Sequence, residues 1–288
     1  MGKKDNTKAK EKIAERKAQE RRMYEIKELE KQTLDAKLNA AKANVKAANM
    51  ADDPLGILPK PFSVYNKNGL DLQLETLRAS DLDEKTLDWA FDTVKTSMKP
   101  LYDEAHKNDP EDGWREDAKK GEMREDMAWI LLAKTQDGAP VAFSHFRYQM
   151  NDDDEVLYCY DLQVMESYRR KGLGKFMMKV LEMLMIKADM LKIMCIIFKN
   201  DNTGVDFFKT ALNYDTDETN LEGKHLQYEI ISRYNQIKKR QKMEEERQRQ
   251  NFFSHGAGGC AGAGCCSPGM PSGAPLYRQP KSMFNKWS

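Results

Sequence analysis

The run Arg169-Arg170-Lys171-Gly172-Leu173-Gly174 stands directly before a long apolar stretch, "FMMKVLEMLM". A loop of this composition at a strand-to-helix turn can converge several backbone N–H groups on one anion. Glycine allows close approach of the chain, the helix N-terminus adds positive potential, and the arginines and lysine add matching charge. A pyrophosphate suits such a cradle. The spacing is not the Gly-x-x-x-x-Gly-Lys-Ser/Thr of a Walker loop, and two glycines do not make the dinucleotide fingerprint. A short way upstream, "YCYD" ends on Asp161. A carboxylate with a raised pKa, or a water held by one, can act as a general base. The plainer reading of Asp161 is a strand-end carboxylate making hydrogen bonds. Strict alternation puts Tyr158 and Tyr160 on the face opposite Asp161 unless a β-bulge re-aims one of them. His145, alone in the apolar "FSHF", reads as a hydrogen-bonded core residue and not as a catalyst.

These residues need a scaffold, and the sequence outlines one. "LDLQLETL" alternates like a strand. "SDLDEKTLDWAFDTVKTSMKPLY" reads as a helix with Ser80 as its N-cap. "REDAKKGEM" is a short second helix. "MAWILLAKT" and "PVAFSHFRYQM" form a hairpin around Asp137-Gly138, "NDDD" is a solvated turn, and "EVLYCYDLQV" is the next strand. The helix opened by the glycine loop runs to about Lys187. "LKIMCIIF" suits a buried central strand, "NDNTGVDFFKTAL" a further helix, "NYDTDETN" a turn and "HLQYEIISRY" a last strand. This order predicts a mixed α/β domain around one sheet, with a parallel strand–helix–strand unit after Glu155.

The flanks differ from this centre. Residues 1–50 are rich in Lys, Glu, Arg and Ala and read as a charged helical arm without a sustained heptad. "MADDPLGILPKP" stops it, and 51–234 hold the globular domain. Residues 235–288 read as a fraying helix followed by a Gly/Cys-rich low-complexity tail. His255, Cys260, Cys265 and Cys266 have no structural zinc spacing, so no metal is expected there. Five cysteines, with Cys159 and Cys195 inside apolar strands, suit a reducing intracellular setting. A formal charge of +1 hides local segregation and says little about partners. No apolar run reaches the length of a membrane span and no secretory signal is evident. "MGKKDNT" resembles a myristoylation signal but carries Asn6 where Ser or Thr belongs.

The glycine loop, in this element order, resembles motif A of the GNAT acetyltransferases. "LDWAFDTVKTSM", "AFSHFR", "DEVLYCYDLQV", "RRKGLGKF", "FFKTAL" and "YEIISR" narrow the resemblance to the N-alpha-acetyltransferase D family, over about Leu70 to Arg233. That family acetylates the α-amine of histone tails of types 4 and 2A that begin Ser-Gly-Arg-Gly. The resemblance implies a GNAT fold and acetyl-CoA as co-substrate, without a metal. Leu162, Gln163 and Val164 would run along the pantetheine arm. Arg169, Arg170, Lys171, Gly172, Leu173, Gly174 and Lys175 would hold the pyrophosphate, with Asp201 and Asn202 beside the cofactor. Asp161 would be the catalytic base, with Tyr158 and Tyr160 catalytic and lining the peptide groove. Tyr102, Gln149, Asn151 and Tyr228 would border the substrate.

Four departures from the family pattern bear on this. Asp161 replaces a glutamate, one methylene longer, which favours a bridging water. Gln149 and Asn151 replace acidic residues that pair with the substrate arginine, although Asp152, Asp153 and Asp154 follow at once. A tryptophan near the mouth aligns with Asp112, while Trp114 lies two residues on. Asp201 stands where many GNAT members have asparagine. An enzyme acting on other short protein N-termini, and a catalytically silent CoA-binding module, are therefore the alternatives. The expected partners are histone tails, and ribosomes or nascent chains through the basic arm, with no direct DNA readout. The chain is expected as a monomer in nucleus and cytoplasm.

Overall fold

The computed structural model describes residues 3–107, 113–220 and 227–256, with side chains described from residue 10 to 248 within these ranges. Gly2, the side chain of Asn6, Asp112, the side chain of His255 and the tail cysteines Cys260, Cys265 and Cys266 lie outside these limits.

Eight strands among the described residues share one mixed sheet. They are β1 (Val64–Lys67), β2 (Leu70–Arg78), β3 (Trp129–Thr135), β4 (Pro140–Asn151), β5 (Asp154–Val164), β6 (Lys192–Phe198), β7 (Asp215–Thr216) and β8 (Tyr228–Tyr234), in the order β1-β2-β3-β4-β5-β6-β8-β7. All neighbours are antiparallel except β5 and β6. Helices α2 (Glu84–Ala105) and α3 (Glu116–Met123) lie over one face, and α4 (Leu173–Lys187) connects β5 to β6 over the other. A short α5 (Asn202–Val205) widens into a π-helical turn over Asp206–Ala211. The long α1 (Lys3–Asn49) and α6 (Gln236–Gly256) flank the domain.

The α4 face carries the larger apolar core. Phe146, Tyr148, Leu157 and Cys159 of β4 and β5 meet Met177, Leu181 and Leu184 of α4. The last turns of α1 join it through Val45 and Ala48, while residues 10–24 of that helix are exposed all round. Asn49 Nδ2 donates to the carbonyl of Tyr148 at 2.8 Å and fixes the end of the arm on β4. On the opposite face, Leu87, Phe91 and Val94 of α2 pack on Ile130, Leu132 and Phe143.

Three local expectations change. Helix α2 starts at Glu84 with Asp83, not Ser80, as its cap; the Asp83 carboxylate accepts from Thr86 N at 2.9 Å, and Ser80 sits in a preceding 3-10 turn. The "VYNKNGLDL" segment adds a hairpin strand, β1, turning on Asn68 and Gly69, both at positive φ. Within "NYDTDETN", expected as a turn, Asp215 and Thr216 pair with β8.

Two irregularities on β5 position everything that follows. Along β4 the register jumps from His145↔Asp161 to Phe146↔Cys159, so Tyr160 is the extra residue of a β-bulge. On the other edge, β5 pairs with β6 only from Val156↔Lys192 to Cys159↔Cys195. Beyond that point β5 continues to Val164 along β4 alone, and the two parallel strands part.

Candidate active site

The bulge decides which side chains meet. Before it, Tyr158 faces the α2/α3 side, beside Val156 and Met194. After it, Asp161 faces the same side, where it meets Lys119 of α3. Tyr158, Tyr160 and Asp161 thus share one face, against the expectation from strict alternation. The rings follow suit: Tyr158 and Tyr160 lie 4.9 Å apart, and Tyr160 stacks on His145 at 5.0 Å. The Tyr160 hydroxyl donates to Gln149 Oε1 at 2.8 Å. Burial pushes the Tyr160 phenol up to about 12 and that of Tyr158 well above its ordinary range, so both act as neutral hydroxyls.

Asp161 is not a poised base with a raised pKa. Burial alone would push its carboxyl up, but the Lys119 ammonium, followed by the hydrogen bond and charge of His145, holds it down at about 2. Lys119 Nζ sits 2.8 Å from Asp161 Oδ2 and 2.6 Å from Glu122 Oε1. His145 Nδ1 lies 3.4 Å from Asp161 Oδ2 and 3.9 Å from Glu122 Oε1. Glu122, His145 and Asp161 have the residue types of a metal site. The cation that lies between these two carboxylates is the ammonium of Lys119, itself shifted upward because its partners outweigh its burial. Arg147 extends the cluster: it pairs with Glu125, donates to the carbonyl of Glu122 at 2.5 Å and lies over the Tyr160 ring at 4.7 Å.

Tyr102 of α2 borders the same region, edge-on to Phe198 at 4.6 Å and to Trp114 at 5.6 Å; burial raises its phenol to about 12. Tyr228 begins β8 opposite Phe198, half-buried, with its phenol also raised by burial. Asn151 ends β4 opposite Asp154, at the hairpin.

The glycine loop lies at the far end of β5. Gly172 is the N-cap of α4 at φ +83°, and no side chain caps the helix. The first-turn N–H groups therefore have no side-chain acceptor, which is the arrangement an anion uses. Arg170 also has positive φ, +60°. The loop is braced from β1: the Tyr65 hydroxyl donates to the Lys171 carbonyl at 2.5 Å, and Asn68 Nδ2 donates to it at 3.0 Å. A Cβ on Gly172 would come within 2.7 Å of the Tyr65 hydroxyl, so the cradle admits only glycine without rearrangement. Arg169 folds back to donate to Val164 O at 2.8 Å, and the Lys171 ammonium lies 5.8 Å from the Tyr168 ring. Leu173 is buried in the core, and Arg170 and Lys175 are exposed. Leu162 and Val164 pack on the α4 side, whereas Gln163 faces α2 and accepts from Ser97 Oγ at 2.8 Å. Gly174 abuts Phe207. Asp201 caps α5 by accepting from Gly204 N at 3.0 Å, and Asn202 is exposed.

The parted strands, the glycine loop braced by Tyr65 and the carboxylate cluster beside the tyrosines all involve β5 or the turn that follows it. Residues 91–214 match the model of the "Acetyltransferase (GNAT) family". The chain therefore carries a GNAT acetyltransferase domain and is an acyltransferase. Solved structures with a similar arrangement include a GNAT family acetyltransferase from Listeria monocytogenes 4b F2365, 14% identical over 59% of this chain and 99% of that one, with a TM-score of 0.42. PaiA N-acetyltransferase from Thermoplasma acidophilum, in complex with coenzyme A, is 16% identical over 57% and 98%, with a TM-score of 0.41. Arabidopsis thaliana Naa50, in complex with a bisubstrate analogue, is 14% identical over 56% and 97%, with a TM-score of 0.39.

Sequence reasoning missed Lys119 and Glu122; His145 is the buried, hydrogen-bonded residue expected, with Asp161 as its partner. The signal was present in part: Lys119 and Glu122 are i,i+3 neighbours in "REDAKKGEM", and His145 and Arg147 alternate on the strand opposite Asp161. The Tyr65–Asn68 brace was missed together with β1.

Proposed function

We propose that this chain is an N-terminal α-amine acetyltransferase that uses acetyl-CoA and acts on histone tails beginning Ser-Gly-Arg-Gly. The observation that carries the reading is the bulge at Tyr160, which sets Tyr158, Tyr160 and Asp161 on one face where β5 leaves β6. Arg169 through Lys175 would hold the pyrophosphate at the N-terminus of α4, and Leu162, Gln163 and Val164 would flank the pantetheine. An α-amine has an ordinary pKa of about 8, against about 10.4 for lysine, so a carboxylate cluster suffices to deprotonate it. Tyr102, Tyr158, Tyr160 and Tyr228 would border the peptide backbone. Asp201 and Asn202 would stand beside the cofactor; for Asp201 its capping bond already accounts for the side chain.

Electrostatics support a basic peptide. Exposed Asp152 and Asp153 follow Asn151 on the hairpin, and Glu122 and Glu125 add acidic groups around Lys119 and Arg147. They would replace the charge that Gln149 and Asn151 lack, and complementary charge guides register and encounter. Histone tails are the proposed partners, in nucleus and cytoplasm, and α1 is the segment proposed to reach ribosomes or nascent chains. A second reading, another short Ser- or Ala-starting N-terminus, is favoured by Gln149, whose amide oxygen is already engaged by Tyr160. The test is a panel of free-amine peptides compared by kcat/KM. The proposal expects the Ser-Gly-Arg-Gly peptide to lead, and the same peptide with glutamate in place of arginine to fall. A faster Ala-starting peptide, indifferent to that charge, would establish the second reading.

A further inference from the structure

The amine's proton needs an acceptor, and Asp161 is poorly built for that part. Its side chain is 4% exposed and tied by Lys119 and His145. Glu122 shares the same lysine but is 24% exposed, and its carboxylate lies within 4.8 Å of those of Asp161 and His145 Nδ1. It also stands 3.9 Å from His145 Nδ1, and its charge is felt by Tyr102, Tyr158 and Tyr160. Its backbone is pinned by Arg147, and α3 offers no other carboxylate to Lys119.

We propose that Glu122, in the last turn of α3, is the group that takes the proton from the substrate amine, with Asp161 and Lys119 as positioning residues. The inference rests on the amine-acetylation reading and names the base within it. In the step, the substrate ammonium gives one proton to the Glu122 carboxylate. The neutral nitrogen attacks the thioester carbonyl, the C–N bond forms and the C–S bond breaks. The nitrogen's second departing proton goes to the coenzyme A thiolate, and Glu122 returns its own to water through its exposed edge. Asp161 stays ionised throughout and keeps Lys119 and His145 in place. The charged and titratable groups facing Glu122 are Lys119 on its own helix, His145 and Arg147 on β4, Tyr158, Tyr160 and Asp161 on β5, and Tyr102 on α2.

The test compares Glu122→Gln and Asp161→Asn in the full chain, with coenzyme A binding by calorimetry as the check on folding. Glu122→Gln is expected to lower kcat about 10²-fold at neutral pH while KM for the peptide holds. That loss should shrink as pH rises past about 8, where the free α-amine is already neutral. Asp161→Asn should give a loss that does not change with pH. A Glu122→Gln enzyme with wild-type kcat, or with a loss constant across pH, overturns the proposal. If the wild type acetylates only lysine amines, the α-amine reading falls while the Glu122 comparison is still read on that amine. If it acetylates no amine, both fall together.

Discussion

Lys192 and Lys119 are both withdrawn from water, and their surroundings differ in kind. Lys192, fully buried at the start of β6, donates to both oxygens of Asp217 at 3.0 and 2.8 Å. Asp217 also accepts from the backbone N–H and hydroxyl of Thr219, and the ammonium lies 5.3 Å from the Tyr234 ring. That pair is closed to water, with Asp154 and Glu218 farther off at 3.9 and 3.8 Å from the same ammonium. Lys119 instead sits between two carboxylates, one of them partly open to water, beside a histidine whose Nε2 has no hydrogen-bond partner among the described residues. A buried ion pair contributes little net stability, so neither cluster is explained by stability alone. The closed one ties β6 to the segment between β7 and β8. The open one joins one ammonium to two carboxylates and holds an Asp161 carboxyl displaced below its ordinary range, a perturbation that catalytic sites share.

Substitutions can break this contrast. Asp161→Asn should cut turnover about 10²-fold or more while leaving coenzyme A affinity in place, read by steady-state kinetics and calorimetry. Lys192→Met strands Asp217 and should cost about 3–5 kcal/mol in denaturant unfolding, with the folded fraction still binding coenzyme A normally. Gly172→Ala meets both the positive φ and the Tyr65 hydroxyl; it should weaken coenzyme A binding about tenfold, or about 1.4 kcal/mol, with little change in peptide affinity. The smallest effect is on acid stability. Asp161 titrates at about 2 in the folded chain against 3.8 ordinarily, so its contribution is fully present above 3.8 and lost as pH falls towards 2. Asp161→Asn should flatten that part of the stability-versus-pH curve, and an unchanged curve would place the carboxylate in a different environment.

The same contrast separates what the sequence discloses from what it hides. Strands β3 to β6 and helix α4 are legible because their apolar positions repeat with the right period, and the glycine loop because few residue patterns tolerate a positive φ before a helix. Asp83 outcompetes Ser80 as a cap because the first turn starts three residues later than a Ser80 cap would set it, a choice local preference alone does not settle. The bulge at Tyr160 carries no glycine and no local mark; only the pairing of β4 with β5 reveals it. The Lys119–Asp161 contact joins residues 42 positions apart, and the Tyr65–Lys171 brace residues 106 apart. Such contacts belong to the tertiary fold, and a short polar helix such as "REDAKKGEM" does not announce which of its charges turns inward.

The most direct measurement is mass spectrometry of two peptides after incubation with this protein and acetyl-CoA. Both read Ser-Gly-Arg-Gly-Lys, one with a free α-amine and one with that amine blocked. Acetylation of the free α-amine alone is the result expected from the open cluster and the tyrosines beside it. Modification of the blocked peptide at lysine, with the free α-amine left untouched, would contradict it.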